Sequence, residues 1–261
     1  MNSRKLLISN KMKIIDAHIH LNPSDEAAVT SLLHQLDAHD VEKAILILNV
    51  KEEYDAFIKD IASFKANSNR FWIAAGINIH DESSYARFDQ LRQMGIAPKV
   101  KVHPHLFKIR KEDIEDVVKA LEPYNTQIIV DSLYYGEEIE YHNGVEVGLA
   151  IARQYPNRKV VMAHSGSVEF LKCMMLTRYL PNVFYDYSFI QTFFQHTSLR
   201  LDMVNFLSRT ANRIMFGSDY PSFTLDSALD NMKSLAEEAG IKDEQIEMVF
   251  AQNANKVYGE I

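Results

Sequence analysis

Two histidines, His18 and His20, close the apolar run Ile14-Ile15-Asp16-Ala17-His18-Ile19-His20-Leu21 near the start of the chain. Side chains two apart on a β-strand share a face, so both imidazoles would project the same way. One strand can offer two of the ligands of a divalent cation in this manner. The spacing alone is cheap, because the chain has ten histidines and His103-Pro104-His105 repeats it. Two satisfied structural histidines explain either copy as well as a metal site does. The decision rests on what surrounds them.

Apolar β-type runs alternate with helical patterns along the whole chain. The strand candidates are Lys13–Leu21, Val41–Leu48, Arg70–Asn78, Pro98–Pro104, Thr126–Leu133, Lys159–Gly166, Asn182–Ile190 and Arg213–Pro221. Each is followed by a helical stretch, and the last by two, ending in the pattern Asp243–Gly259. Stop signals fall where helices should end, at Gly95, Pro181 and Gly240. Strict alternation implies parallel pairing through right-handed crossovers. Eight units in a chain of 261 residues predict a single-domain α/β fold, a (β/α)8 TIM barrel, with a doubly wound sheet as the alternative. The longest connection follows the fifth strand, from Tyr134 to Gly144, and is aromatic and acidic.

In a parallel barrel, chemistry collects where the strands end. The first strand ends with Asp16, His18 and His20, and the fourth with Lys99, Lys101 and His103. The fifth ends with Asp131, the sixth with His164 and the eighth with Asp219. If these faces point inward, imidazoles and carboxylates meet at one rim. Such a cluster is costly unless something balances its charge. A divalent cation would do so. Two imidazoles with one or two carboxylates suit Zn²⁺, with Mn²⁺ or Fe²⁺ as alternatives. Each residue also has a structural reading: Asp219 as a turn cap, Asp16 as an acceptor for backbone N–H groups, Lys99 and Lys101 on the outer face against helices. Those readings must all hold together to dismiss the rim. Inward-facing, Lys101 would meet a substrate carboxylate or phosphate.

Composition narrows the function classes. The formal net charge is -7, which speaks against nucleic acid and anionic membrane as partners. Cys173 is the single cysteine, so no internal disulfide forms, as befits a reducing compartment. It lies in a helical stretch and reads as core rather than nucleophile. No apolar run approaches the roughly 18 residues of a membrane span, and the Leu6-Leu7-Ile8 run is too short for a secretory signal. The expected compartment is the cytoplasm and the expected partner a small molecule. Residues 1–11 read as an N-terminal extension and residues 12–261 as the domain. Ser165 follows His164 directly and so points away from it, which leaves no Ser–His pair.

From Met12 onward the chain resembles the amidohydrolase superfamily. The branch it is most similar to is the amidohydrolase 2 group, which includes aminocarboxymuconate-semialdehyde decarboxylase-like enzymes. The resemblance is carried, in order, by Asp16-Ala17-His18-Ile19-His20, Lys101-Val102-His103-Pro104, Pro156–Gly166, Asn182–Ser188, Phe216–Pro221 and Asn253–Gly259. It implies a (β/α)8 barrel, one divalent metal and, since members often dimerise, a homodimer. By resemblance His18 and His20 are metal ligands. Asp219 is the eighth-strand carboxylate that binds metal, handles a proton or does both. His164 acts as acid, base or carbonyl polariser, and His103 faces the substrate. The branch carries a ligating histidine at the end of its fifth strand, and Asp131 stands there in this chain. With Asp131 as a fourth ligand, the set of two histidines and two aspartates leans from Zn²⁺ towards Mn²⁺. A lactonase-type branch works without metal.

The leading expectation is therefore a metal-dependent hydrolase acting on a small, carboxylated substrate. Asp219 would manage the proton, and Lys101, His103, Tyr134 and Tyr135 would read the substrate. Non-oxidative decarboxylation or hydration at the same site, metal-free lactonase-like hydrolysis, and a non-catalytic binding barrel are the rivals.

Overall fold

The computed structural model describes residues 12–259; the extension expected over residues 1–11 lies outside the described residues. The apolar runs become strands β1 (Ile14–Ile19), β2 (Val41–Leu48), β3 (Phe71–Gly76), β4 (Lys99–Val102), β5 (Ile128–Asp131), β6 (Val160–Ala163), β7 (Val183–Asp186) and β8 (Ile214–Met215). They form one parallel sheet in chain order. Because β8 has only two residues, the seam with β1 is completed by the segment beyond it. Ala17 N–H donates to the Phe216 carbonyl at 2.8 Å, Asp219 N–H to His18 at 2.9 Å and His20 N–H to Tyr220 at 2.8 Å. These bonds close the sheet into the expected (β/α)8 barrel, and the closing seam is also where His18, His20 and Asp219 sit.

The helices are α1 (Ala28–Ala38), α2 (Lys51–Lys59), α3 (Ile61–Ala66), α4 (Glu82–Gln93), α5 (Ile114–Ala120), α6 (Gly144–Gln154), α7 (Phe170–Thr177), α8 (Ile190–Phe193), α9 (Leu199–Thr210), α10 (Leu225–Ala239), α11 (Asp243–Glu247) and α12 (Asn253–Tyr258). Two continuous helical patterns are broken, each for a local reason. Between α2 and α3 the Asp60 carboxylate turns to accept from Thr30 N–H at 2.9 Å and from its hydroxyl at 3.1 Å. Between α11 and α12 the Val249 carbonyl accepts from Phe216 N–H at 2.9 Å. That diverts it towards the sheet, and a π-helical turn over Met248–Gln252 absorbs the mismatch.

Alternation along the strands sorts the core into two layers. Ile15, Ile45, Ile47, Ala74, Ile129, Val161 and Phe184 fill the barrel interior, with Tyr258 of α12 among them. Leu46, Ile73, Val100, Val130 and Met162 face the helices. Among the described residues no helix is long and apolar enough to cross a membrane.

Candidate active site

A cavity of about 310 Å³ opens at the C-terminal rim, lined by His20, Asn49, Glu53, His103, Asp131, Tyr135, His164, Phe189 and Asp219 among others. Three of these hold a positive φ: His164 at 58°, Phe189 at 64° and Asp219 at 61°. Non-glycine residues pay steric strain there, and such strain concentrates at working sites. Local bonds hold it in place. His164 N–H donates to Asp186 Oδ1 at 3.1 Å, and Ser165 Oγ donates to the Asp186 carbonyl at 2.6 Å. Ser165 thus serves the backbone, consistent with its pointing away from the imidazole.

His18 and His20 approach each other through Nε2 atoms 3.2 Å apart. Asp219 Oδ1 lies 3.5 Å from the first and 3.9 Å from the second. The other ring nitrogen of each is taken by a carboxylate: His18 Nδ1 by Asp186 at 3.0 Å, His20 Nδ1 by Glu53 at 2.8 Å. With both Nδ1 atoms donating, both Nε2 lone pairs point into one gap. Burial pushes His18 down to about 4 against the pull of Asp186. Burial also opposes charge on His20, but Glu53 outweighs it and raises that imidazole above its ordinary value. The gap therefore needs a positive particle, either a proton shared by the two rings or a cation. His18, His20 and Asp219 offer ligand atoms all within 4.8 Å of one another. Three protein ligands with a position left open is the donor set of a catalytic divalent site, and carboxylates behind the histidines orient such ligands. The residues fit the metal.

His18, His164 and Asp186 lie within the same limit, but hydrogen bonds use their atoms. Asp186 accepts from His18 Nδ1, His164 N–H and Ser188 N–H, and His164 Nδ1 faces Ser188.

Asp131 stands apart from the His18–His20–Asp219 group. Its Oδ2 lies 3.2 Å from Lys101 Nζ, 3.2 Å from His164 Nε2 and 3.4 Å from His103 Nε2. The Tyr135 hydroxyl donates to its Oδ1 at 3.2 Å and meets His103 Nε2 at 3.0 Å. Burial favours a neutral Asp131, yet His103, Lys101 and His164 around it hold the carboxyl well below its usual range. Burial would also strip the His164 proton, but the Asp131 charge raises that imidazole to about 9. His103, buried and beside Lys101, is driven down to about 3. The site thus separates a neutral imidazole from a charged one on either side of a carboxylate.

Lys101 faces inward, as the rim reading requires, but it is wholly buried and bonded to Asp131 rather than open to the cavity. Tyr134 does not line the cavity. Its ring packs on His142 with centroids 4.1 Å apart, and its N–H donates to Ser167 Oγ at 2.8 Å. Asp16 Oδ1 accepts from His18 N–H at 3.0 Å and Ser218 N–H at 2.9 Å, tying β1 to the segment after β8. Burial drives that carboxyl up to about 7.

Sequence reasoning gave no role to Glu53, Asp186 or Asn49. Asp186 had a signal, since it shares the inward face with Phe184. Glu53 had none: it looks like any acid in a helix's first turn and does cap α2, accepting from Asn49 N–H at 2.5 Å and Val50 N–H at 3.2 Å.

Comparison with known proteins agrees with this architecture. An uncharacterised TIM-barrel protein from Bordetella bronchiseptica superposes with a TM-score of 0.75 at 14% identity, covering 95% of this chain and 99% of that one. A protein described as a 2-pyrone-4,6-dicarboxylic acid hydrolase from Acinetobacter baumannii, with citric acid bound, gives 0.68 at 15% identity, covering 95% and 100%. N-isopropylammelide isopropylaminohydrolase from Burkholderia multivorans gives 0.64 at 10% identity, covering 95% and 74%. At such identities these likenesses speak to the fold. No curated protein sequence is significantly similar to this one. Residues 15–259 match the amidohydrolase family, and with strand-one histidines and a strand-eight aspartate meeting at the barrel seam, this chain belongs to that family.

Proposed function

We propose that this chain is a metal-dependent hydrolase acting on a small, carboxylated substrate. The observation that carries the reading is the pair of Nε2 atoms 3.2 Å apart, each imidazole backed by a carboxylate and flanked by Asp219. Two histidines and one aspartate, without Asp131, favour Zn²⁺ over Mn²⁺. A bound Zn²⁺ would lower the pKa of a water towards about 7 and polarise a carbonyl.

The chain's own residues do the rest. Asp219, on the cavity wall, accepts a proton from the attacking water and returns it to the leaving group. His164, kept positive by Asp131, lines the cavity and stabilises through its charge the substrate oxygen on which charge develops. Tyr135 and His103 border the same space, and the Asn49 side-chain carbonyl, which has no hydrogen-bond partner among the described residues, offers an acceptor to a substrate donor. The expected compartment stays the cytoplasm, in keeping with the free buried thiol of Cys173.

The test is a Zn²⁺ titration of chelator-treated protein against a panel of small carboxylated amides and lactones. About one metal per chain, hydrolysis that returns with it, and neither in His18→Ala is the expected result. Full hydrolysis by metal-free protein would overturn metal dependence. Carbon dioxide release in place of hydrolysis would assign the site to a lyase.

A further inference from the structure

At the other end of the barrel, where strands begin, inward residues ordinarily meet only one another. Two of them here are lysines. Lys43 lies two residues before the inward Ile45 on β2, and Lys99 opens β4 in step with Lys101. Lys99 is only 5% exposed. The Lys43 ammonium stands over the Trp72 indole, 4.0 Å from its centroid. These three residues line a cavity of about 680 Å³ with Lys65 and Tyr258. Lys99 also lines an adjoining hollow of about 410 Å³. Among the described residues neither has an aspartate or glutamate in its wall. Among the described residues, Lys43, Lys65 and Lys99 have no ion-pair partner, whereas the rim lysine Lys101 has Asp131.

Burial, and after it the charge of Lys43, hold Lys99 below the usual lysine range. Burial does the same to Lys43, against the weaker pull of Glu42. Two ammonium groups that repel each other inside a cavity, with no counter-charge in its wall among the described residues, are costly. An anion between them removes both costs.

We propose that this cavity binds a small oxyanion, a phosphate or a carboxylate, held by Lys43 and Lys99 beside Trp72. The site shares no lining residue with the candidate active site, so it stands or falls independently of the hydrolase reading.

Trp72 is the chain's single tryptophan, so its emission reports on this cavity alone. The full-length protein is titrated with inorganic phosphate and, separately, with succinate, at ionic strength held constant with sodium chloride. At least one anion should give a saturable change in Trp72 emission and a concentration-dependent rise in Tm. Lys43→Met and Lys99→Met should each weaken it by about tenfold or more, the scale of one charge-assisted hydrogen bond. Lys99→Met removes an uncompensated buried charge, so its Tm in anion-free buffer should equal or exceed that of the parent. A response to phosphate alone makes the site a phosphate site, and one to succinate alone a carboxylate site. No saturable response to either, or an equal response in both variants, would overturn the proposal.

Discussion

Glu53 and Asp186 act through the histidines they serve, fixing which imidazole nitrogen faces the gap. Replacing such a partner typically costs about 10–100-fold in metal affinity. Glu53→Gln is expected to weaken Zn²⁺ by that factor while thermal unfolding stays cooperative, as competition with a chromogenic chelator would show. Asp131 makes the opposite prediction. Its carboxylate answers Lys101, which is fully buried. Asp131→Ala should therefore keep its metal and lose about 3–5 kcal/mol of stability, the cost of leaving a buried charge alone. Adding Lys101→Met should restore most of that loss in urea unfolding. Metal lost from Asp131→Ala with stability unchanged would return Asp131 to the ligand set. Metal binding should also displace the proton that Glu53 favours on His20. Affinity should then fall on acidification, and calorimetry in buffers of different ionisation enthalpy should detect proton release.

Elements bring these residues together through a few close approaches. Gly144, the first residue of α6, sits on the end of β5. A Cβ there would meet the Asp131 carbonyl oxygen at 2.2 Å and Ser132 Cα at 2.6 Å. Gly144→Ala must lift the helix or push the strand end that carries Asp131. The expected cost is about 1–3 kcal/mol, with a fall in turnover, since Asp131 sets the charge on His164. Gly95, with φ of 80° and nothing within 4 Å of its Cβ position, is the control. Gly95→Ala should cost about 1 kcal/mol of backbone strain and leave turnover alone. The β8–β1 seam works on the same principle. Its hydrogen bonds run through His18, Asp219 and His20, so barrel closure and site assembly are one event.

For the molecule as a whole, the buried rim links stability to pH. His18 and His103 are held down to about 4 and about 3. An unfolded histidine takes its proton near pH 6.5. Stability that is full above that value is therefore lost as pH falls towards 4 and then 3. His164 runs the other way. Raised to about 9, it contributes fully below pH 6.5 and loses that contribution as pH rises through 9, up to about 3 kcal/mol. Asp16, raised to about 7, is stabilising only when protonated, and its share is gone by neutral pH. The metal-free protein should show its highest Tm near pH 6.5 and decline on both sides. A Tm that is flat from pH 6.5 to 9 would show that Asp131 does not hold a proton on His164.

The sequence by itself determined the barrel, because alternation of strand and helix patterns admits few topologies and the 2.0-residue period assigns each strand residue to a face. It also placed His18, His20, His164 and Asp219 at the C-terminal ends of strands, but their meeting needed the fold: β1 shifts register between Asp16 and Ile19, and His164 follows the inward Ala163 with a φ of 58°. Only the tertiary structure decided what each one meets. Asp131 could be read as a ligand from its place at a strand end. The neighbouring strands put Lys101, His103 and His164 against it, and the nearest positive charge claims a buried carboxylate. Glu53 reaches His20 from a helix 33 positions away in the chain, a distance that no local pattern records. The lysines at the barrel floor carry the same lesson. Lys99 and Lys101 look alike in sequence, and only packing shows that one has a carboxylate to answer it and the other has none among the described residues.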